Sequence, residues 1–318
     1  MAAAEELRRL GYEVVIYDRY DRVGGLMIYG IPSFKLEKEI VQRRADLLKD
    51  GGVSFELNFE VGRDASLQEL RDRHAAVLIA TGVYKARDAA LPGVGLGNII
   101  QSMEFLTASN RKGLGDAVPE FESGALDAKD KHVVVLGGGD TAMDCVRTAV
   151  RQGAKSVKCL YRRDLENMPG SMREVQHAQE EGVEFVWLTA PEAYLGDDDV
   201  RGVRAVRIRL GAPDATGRQT PEIVGGSAHE IAADLVIKAL GFDPEDLPTL
   251  FGEPGLSVTG WGTVGIDFRS RMTNLDGVFA AGDIVRGASL VVWAVRDGRD
   301  AAASMHSYLQ EKLAREPT

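Results

Sequence analysis

The chain has 318 residues, which is long enough for two domains of roughly 100–200 residues each. Its contents of 44% hydrophobic and 27% charged residues are typical of a globular protein, and no apolar run approaches the roughly 18 residues that a membrane span needs. The formal net charge of −10 argues against nucleic-acid binding, and two cysteines exclude a disulfide scaffold or a four-cysteine iron–sulfur site within this chain.

Helical and apolar segments alternate along the chain. Residues 2–10 are strong helix formers, and Gly11 caps that helix before a short β-branched strand at Glu13–Asp18. Further buried strands are predicted at Ala76–Ala80, His132–Leu136, Ser156–Tyr161, Leu235–Ala239 and Gly277–Ala281. Between Arg201 and Ile231, strand patterns alternate with polar turns, one of them at 214–219, and predict an antiparallel excursion. The alternation of strands and helices elsewhere predicts an α/β fold with parallel sheets.

Two sequence patterns occur twice. AAVLIATG (75–82) is similar to ADLVIKALG (233–241), and EVVIYDR (13–19) is similar to SVKCLYRR (156–163). Two copies of a nucleotide-binding unit explain this economically; the alternative is chance likeness, because buried parallel strands resemble one another.

The strongest local motif follows the apolar strand HVVVL. There the chain reads Gly137-Gly138-Gly139-Asp140-Thr141-Ala142 and then opens a helix, which is the G-x-G-x-x-A fingerprint in its strand–turn–helix context. The first glycine permits the tight turn, Gly139 lets backbone approach a pyrophosphate, and Ala142 lets the helix pack closely on the strand. The helix N-terminus supplies unpaired N–H groups and the positive end of a dipole. The motif predicts dinucleotide binding, with a ligand-free turn as the alternative.

The end of the next strand favours NADPH over NADH. An NAD site has an acidic residue about 20 residues after the glycines, whereas a 2′-phosphate needs a cation there. Here Arg162 and Arg163 end the strand, and Asp164 lies beyond them. Two guanidinium groups suit a phosphate, so NADPH is predicted. The alternative is that both arginines form surface ion pairs.

The first unit has the opposite character at the same place. Asp18 ends its strand and suits the unphosphorylated ribose in the adenosine half of FAD, although an ordinary solvated strand end is the alternative. Gly24, Gly25 and Leu26 follow in a loop whose backbone could approach an aromatic ring system.

Several longer stretches identify a family. They are YDRYDRVGGLMIYGIPSFKLEK, ATGVYKARD, VVVLGGGDTAMDCVRTAVRQGAKSVKCLYRRD, NMPGSMREVQHAQEEGVEF, LVIKALGF and GVFAAGDIVRGASLVVWAVRDGRDAA, in this order along almost the entire chain. In these residues the chain resembles the small (beta) subunits of NADPH-dependent glutamate synthases and, more distantly, the matching domains of dihydropyrimidine dehydrogenase.

The resemblance implies two dinucleotide-binding (Rossmann-like) domains of the FAD/NAD(P)-dependent disulfide-reductase-like type, with the NADPH domain inserted in the FAD domain. The expected bounds are 1–97 and 262–318 for the FAD domain and 98–261 for the NADPH domain. It also implies that Gly241 contacts NADPH. The FAD contacts that it implies are Thr81, Gly82, Gly282, Asp283, Ser289, Leu290 and Val291, with residues 287–291 starting a helix that faces the flavin pyrimidine edge.

In the family, NADPH passes a hydride to FAD, and electrons leave through iron–sulfur clusters to a large (alpha) subunit that makes glutamate. The resemblance therefore implies this large subunit as partner, a cytoplasmic location, and no nucleic-acid or membrane partner. The cofactors perform the chemistry, so no acid–base residue is nominated.

The chain departs from the family at its start. The family has a Cys-rich iron–sulfur domain, a first FAD strand and a glycine loop ahead of AAAEELRRLGYE, and this chain begins after them. We therefore expect an N-terminally truncated protein whose first domain has lost its central strand and holds FAD weakly. Iron–sulfur clusters are expected only in the region that precedes this sequence in the family.

Three other interpretations differ in what they require of the chain. A thioredoxin-reductase-like enzyme needs a C-x-x-C pair, and Cys145 and Cys159 do not form one and are expected to be buried. A stand-alone NAD(P)H:acceptor oxidoreductase and a non-catalytic NADPH-binding remnant with an inert FAD half stay open.

The five His show no ligand spacing, so no metal site is expected. Trp187 and Trp293 are expected in the core, and Glu174 is expected at the surface.

Overall fold

A computed structural model describes residues 1–214 and 219–315, which divide into two compact units. Unit 1 comprises Met1–Ile28, Glu37–Lys85 and the chain from Phe242 onward; unit 2 comprises Tyr29–Leu36 and Ala86–Gly241. These divisions differ from the residue bounds 97/98 and 261/262 expected for the nucleotide-binding domains. Which nucleotide each domain binds stays a prediction.

Helices and strands alternate from the first residues of the chain to the last. The first are α1 (Ala2–Arg9), β1 (Val14–Asp18), α2 (Leu26–Tyr29), α3 (Lys38–Asp50), β2 (Val53–Leu57), α4 (Leu67–Arg73), β3 (Val77–Ile79) and β4 (Lys85–Ala86). Then follow β5 (Ile99–Gln101), α5 (Ser102–Gly113), α6 (Pro119–Glu122), β6 (His132–Leu136), α7 (Asp140–Arg151), β7 (Ser156–Tyr161), α8 (Met172–Glu180), β8 (Glu184–Trp187), β9 (Thr189–Gly196), β10 (Val200–Pro213), β11 (Gln219–Ile223), β12 (His229–Ala232) and β13 (Leu235–Lys238). The last are β14 (Phe242–Asp243), α9 (Leu247–Leu250), β15 (Val278–Ala280), α10 (Asp283–Arg286) and α11 (Val291–Arg315).

Unit 2 is built on a five-stranded parallel sheet of order β5-β13-β6-β7-β8. Successive residues of β6 point to opposite faces. Val133 and Val135 pack in one core with residues of α5, α7 and α8, whereas Val134 and Leu136 pack in a second core with residues of β9, β10 and β12. The sheet is covered on both faces, which explains the apolar runs of its central strands β6 and β13.

The region 201–231 forms antiparallel strands, as predicted. β10 pairs antiparallel with β9, β11 and β12. Residues 215–218 of the predicted polar turn lie outside the described residues.

Unit 1 contains two separate two-stranded parallel sheets. β1 pairs with β2, and β3 pairs with β15. In residues 1–214 and 219–315, no ladder joins β1 to β3. Every residue of β1 is only half-buried, whereas β15 is buried throughout.

Helices α1 and α11 pack together in unit 1. Ala3 and Leu7 of α1 share one core with Ala302 and Met305 of α11 and with Phe279 of β15. No helix in the described ranges is long and apolar enough to cross a membrane.

Candidate functional site

The glycine loop between β6 and α7 combines tight packing with one accessible position. Gly137 has φ +146°, and a Cβ there would lie 2.2 Å from the carbonyl oxygen of Ala239. A Cβ on Gly138 would lie 2.5 Å from the ring of Tyr161. Gly139 has φ −91°, and no described atom lies within 4 Å of an added Cβ. The first two glycines are therefore required by packing, whereas Gly139 leaves the start of α7 open to a ligand.

Helix α7 begins at Asp140, directly after Gly139. Its carboxylate Oδ1 accepts a hydrogen bond from the backbone N–H of Ser171 at 3.0 Å. Thr141 is half-buried, and Ala142 is fully buried in the core between α7 and the sheet. The first-turn N–H groups of a helix have no intrahelical acceptor, so this end of α7 can receive an anion.

Arg162 and Arg163 follow directly after β7 in the same unit. Arg162 is exposed, and the Nε of Arg163 is buried with no hydrogen-bond acceptor among the described residues. The carboxylate of Asp164 accepts from the backbone N–H and the Nδ2 of Asn167, at 3.0 and 2.7 Å. A buried guanidinium nitrogen without an acceptor is costly, and the binding of an anionic ligand by these arginines stays a prediction.

Gly241 lies at the end of the segment that follows β13. Two residues before it, Ala239 contacts Gly137, so this segment runs beside the glycine loop. The carbonyl of Gly241 accepts a hydrogen bond from the N–H of Arg87 at 3.0 Å.

In unit 1, two predicted FAD segments meet at one sheet edge. Thr81 and Gly82 follow β3, while Gly282 and Asp283 follow its parallel neighbour β15. In the described part of the chain, the Oγ1 of Thr81 and the Oδ1 of Asp283 are buried without a hydrogen-bond partner. Burial raises the pKa of Asp283 above its usual range. Two orphaned buried oxygens at one edge fit a ligand with hydroxyl groups.

Gly25 and Gly82 both lie beside Tyr84. Added Cβ atoms would stand 3.4 Å from the hydroxyl oxygen of Tyr84 and 3.3 Å from its ring, respectively. A Cβ on Gly24 would instead lie 2.7 Å from Val41, so packing explains this glycine. Leu26 is the first residue of α2 and therefore does not continue the loop that precedes it.

Asp18 lies next to a polar cluster of Arg19, Tyr84 and Glu245, and the sequence predicts only Asp18 as a site residue. Its Oδ1 accepts the N–H of Tyr20 at 3.0 Å, and burial raises the pKa of this carboxyl. The guanidinium of Arg19 pairs with both carboxylate oxygens of Glu245, at 2.9 and 3.1 Å, and stacks on the ring of Tyr84 at 4.9 Å. The sequence carries no signal for this cluster, because 226 residues separate Arg19 from Glu245.

The segment 287–291 leads into a helix, as predicted. The short α10 ends at Arg286, and α11 begins at Val291. Leu290 and Val291 are exposed, and Ser289 donates its backbone N–H to Asp283. The expectation that Trp293 lies in the core is wrong: the residue is 41% exposed in the first turn of α11, among exposed neighbours, and Arg286 lies 5.4 Å from the centre of its ring. Trp187 is partly buried against the core of unit 2, as expected.

Comparisons with known proteins identify the family. Residues 1–298 match the family model described as pyridine nucleotide-disulphide oxidoreductase. The chain therefore belongs to the pyridine nucleotide-disulphide oxidoreductase family, and the predicted fold class is confirmed.

Individual relatives narrow the comparison. The chain is 69% identical over 312 residues to the glutamate synthase [NADPH] small chain of Azospirillum brasilense, covering 98% of this chain and 65% of that protein. It is 43% identical to the corresponding small chain of Escherichia coli K12, over 98% of this chain and 66% of that one. The predicted resemblance to glutamate synthase small subunits is confirmed, and the chain spans about two thirds of the length of these relatives.

A solved structure with the same fold is the His57Gln mutant of FprA from Mycobacterium tuberculosis. Its TM-score is 0.82 with 20% sequence identity, over 100% of this chain and 84% of that one. This likeness shows the fold alone.

Proposed function

We propose that this chain is the NADPH-oxidising flavin module of a glutamate synthase, acting in the cytoplasm with a large (alpha) subunit that makes glutamate from glutamine and 2-oxoglutarate. The observation that carries the proposal is the glycine loop of unit 2, with the open approach at Gly139. The 69% identity to a glutamate synthase [NADPH] small chain supports the choice of reaction.

The residues of unit 2 fit NADPH. Gly137 to Ala142 would hold the pyrophosphate against the start of α7, with Gly138 and Thr141 lining the turn. Arg162 and Arg163 would bind the 2′-phosphate, which would satisfy the buried Nε of Arg163. The segment ending at Gly241 would lie along the dinucleotide, since Ala239 contacts the glycine loop.

The residues of unit 1 fit FAD. Thr81 and Asp283 would give their unpartnered buried oxygens to its ribityl and pyrophosphate region, next to Gly82 and Gly282. Asp18 would hold the adenosine ribose, while Gly24, Gly25 and Leu26 would approach the ring system. The contacts proposed at the flavin's pyrimidine edge are Ser289, Leu290 and Val291, at the start of α11.

When bound, NADPH and FAD supply the hydride donor and acceptor, and the chain's own groups bind and orient them. The start of α7 and the two arginines would hold the negative charge of the dinucleotide, and the exposed apolar side chains of Leu290 and Val291 would limit water at the flavin ring.

Two alternatives make different predictions. Glutamine- and 2-oxoglutarate-dependent NADPH oxidation with a large subunit distinguishes the proposed role from a stand-alone NAD(P)H:acceptor oxidoreductase. NADPH-dependent bleaching of added FAD distinguishes either enzyme from a non-catalytic NADPH-binding remnant.

The substitution Gly139→Ala tests the dinucleotide site. Because Gly139 has an ordinary φ and its added Cβ contacts nothing, the variant is expected to fold with unchanged stability. The methyl group would occupy the approach of a pyrophosphate, so NADP⁺ affinity, measured by calorimetric titration, is expected to fall about 100-fold.

Gly113→Ala is the matched control. Gly113 ends α5, and its added Cβ also contacts nothing. We expect this variant to bind NADP⁺ like the unmodified chain. Equal affinity of the Gly139→Ala and Gly113→Ala variants would contradict the proposed site.

A further inference from the structure

Residues Tyr29–Leu36, here called the strap, belong to unit 2, although the chain segments on either side of them belong to unit 1. The Nδ2 of Asn110 donates to the carbonyls of Tyr29 and Ile31, at 2.9 and 3.2 Å. The guanidinium of Arg151 lies 3.9 Å from the ring centre of Phe34. The strap is therefore fixed through residues that precede Lys35 in the chain. These contacts position the side chain of Lys35.

Lys35 joins α7, the helix that follows the glycine loop, to α8. Its Nζ lies 2.8 Å from the Oδ1 of Asp144 on α7 and 3.3 Å from the Oε2 of Glu174 on α8. The side chain of Asp144 is 12% exposed, and that of Glu174 is 16% exposed. The expected surface position of Glu174 is therefore wrong, because this carboxylate belongs to a largely buried ion-pair network.

The start of α7 carries an excess of negative charge. Asp140 and Asp144 are one helical turn apart, and like charges at this spacing repel each other. Glu174 contributes a third carboxylate. Its Oε2 pairs with the Nη1 of Arg147 at 2.7 Å, and its Oε1 lies 3.9 Å from the Nδ1 of His177. Within the described chain, Lys35 is the cation that pairs with Asp144.

These carboxylates would repel a pyrophosphate at the same helix end. We propose that Lys35 is a positioning residue for dinucleotide binding: the strap delivers its charge to Asp144 and Glu174 and so lets the start of α7 accept an anion. This inference rests on the proposed function, because it concerns the dinucleotide of that site.

The pH dependence of binding gives a second signature. Burial raises the pKa of Asp144 to about 6, while Lys35 lowers it and Glu174 and Asp140 raise it. Without Lys35 this pKa would be higher, so Asp144 would be neutral over a wider pH range. The loss of NADP⁺ affinity in the Lys35→Met variant, relative to the unmodified chain, is therefore expected to be smaller at pH 6 than at pH 8.

The experiment is calorimetric titration with NADP⁺ at pH 8. Lys35→Met is expected to weaken binding about tenfold, and Lys35→Arg to keep affinity within about threefold. The double variant Lys35→Met, Asp144→Asn is expected to return to within about threefold of the unmodified chain, because the uncompensated charge is gone. Lys158→Met is the matched control, since it breaks a lysine–carboxylate pair with Glu184 in the same unit, away from the loop.

The outcomes separate the two proposals. Failure of the unmodified chain to bind NADP⁺ would overturn the proposed function and this inference together. Normal binding by the unmodified chain with equal affinity of Lys35→Met would overturn the inference alone, as would a double variant no better than Lys35→Met. The single variant Asp144→Asn, expected to bind at least as tightly as the unmodified chain, excludes general damage to α7.

Discussion

Asp297 is a buried carboxylate with a strong partner. It is 2% exposed and accepts hydrogen bonds from the Nε and Nη2 of Arg286 at 2.7 and 2.6 Å. These hydrogen bonds from Arg286 hold the pKa of Asp297 below its usual range. The pair fixes α10 against α11 next to the proposed FAD contacts at 289–291.

We expect Arg286→Ala to lower the free energy of unfolding by about 2 kcal/mol, because it removes both guanidinium hydrogen bonds to a buried carboxylate and leaves that carboxylate with Arg271 at 3.9 Å. Urea unfolding at pH 7 measures this. Arg296→Ala is the control, since its guanidinium is 66% exposed and lies 3.9 Å from Asp300, and a loss of at most about 0.5 kcal/mol is expected. Equal losses in the two variants would show that burial of Asp297 is unimportant.

Individual site residues can be predicted only where their signal is local. The turn at Gly137–Ala142 is recognisable because a strand, small residues and a helix occur together in a short stretch. Lys35 and Asp144 lie 109 residues apart, and Arg19 and Glu245 lie 226 residues apart, so no local pattern connects them. Such pairs depend on the tertiary fold.

Helices α7 and α8 are joined by a network of charged side chains. Glu181, just after α8, accepts from the Nη2 of Arg147 at 2.8 Å and also pairs with Arg151. Desolvation opposes ionisation of Glu181, but hydrogen bonds from Arg151 and Arg147 outweigh it and lower the pKa to about 2. This carboxylate therefore stabilises the packing of α8 on α7 when it is ionised.

The network predicts a pH-dependent effect of Glu181→Gln. Because the folded-state pKa is lowered, the stabilisation is fully present above about 4.5 and is lost as the pH falls towards 2. We expect the variant to be about 2 kcal/mol less stable at pH 7, with a smaller deficit at pH 3, measured by urea unfolding. Glu180→Gln, on the exposed side of α8, should cost less than about 0.5 kcal/mol. A deficit of the same size at both pH values would contradict the assigned role of charge.

Elements are predicted best where an apolar segment lies between turn residues. The observed strands at His132–Leu136 and Ser156–Tyr161 have the predicted bounds, and their apolar residues pack in the cores on the faces of that sheet. The start of α11 is equally apolar, yet Val292 and Trp293 are exposed. Hydrophobicity alone does not distinguish a core segment from an exposed one.

At the scale of the whole molecule, the two units differ in their parallel sheets. Unit 2 has a five-stranded parallel sheet, whereas in the described part of unit 1 the parallel pairs β1–β2 and β3–β15 are separate from each other. The order of motifs along the chain is sufficient to identify the family, because almost every part of the chain contributes to it. Weak retention of FAD by the 318-residue chain stays a prediction.

The central claim is that unit 2 binds NADPH through its glycine loop and the arginines at the end of β7. Its most direct test is calorimetric titration of the chain with NADP⁺ and NAD⁺. Because Arg162 and Arg163 would make two charge-assisted hydrogen bonds to the 2′-phosphate, we expect the chain to bind NADP⁺ about 100-fold more tightly than NAD⁺. This preference should fall to about fivefold or less in the double variant Arg162→Ala, Arg163→Ala. Equal affinities of the unmodified chain for NADP⁺ and NAD⁺, or an unchanged preference in the double variant, would contradict the account.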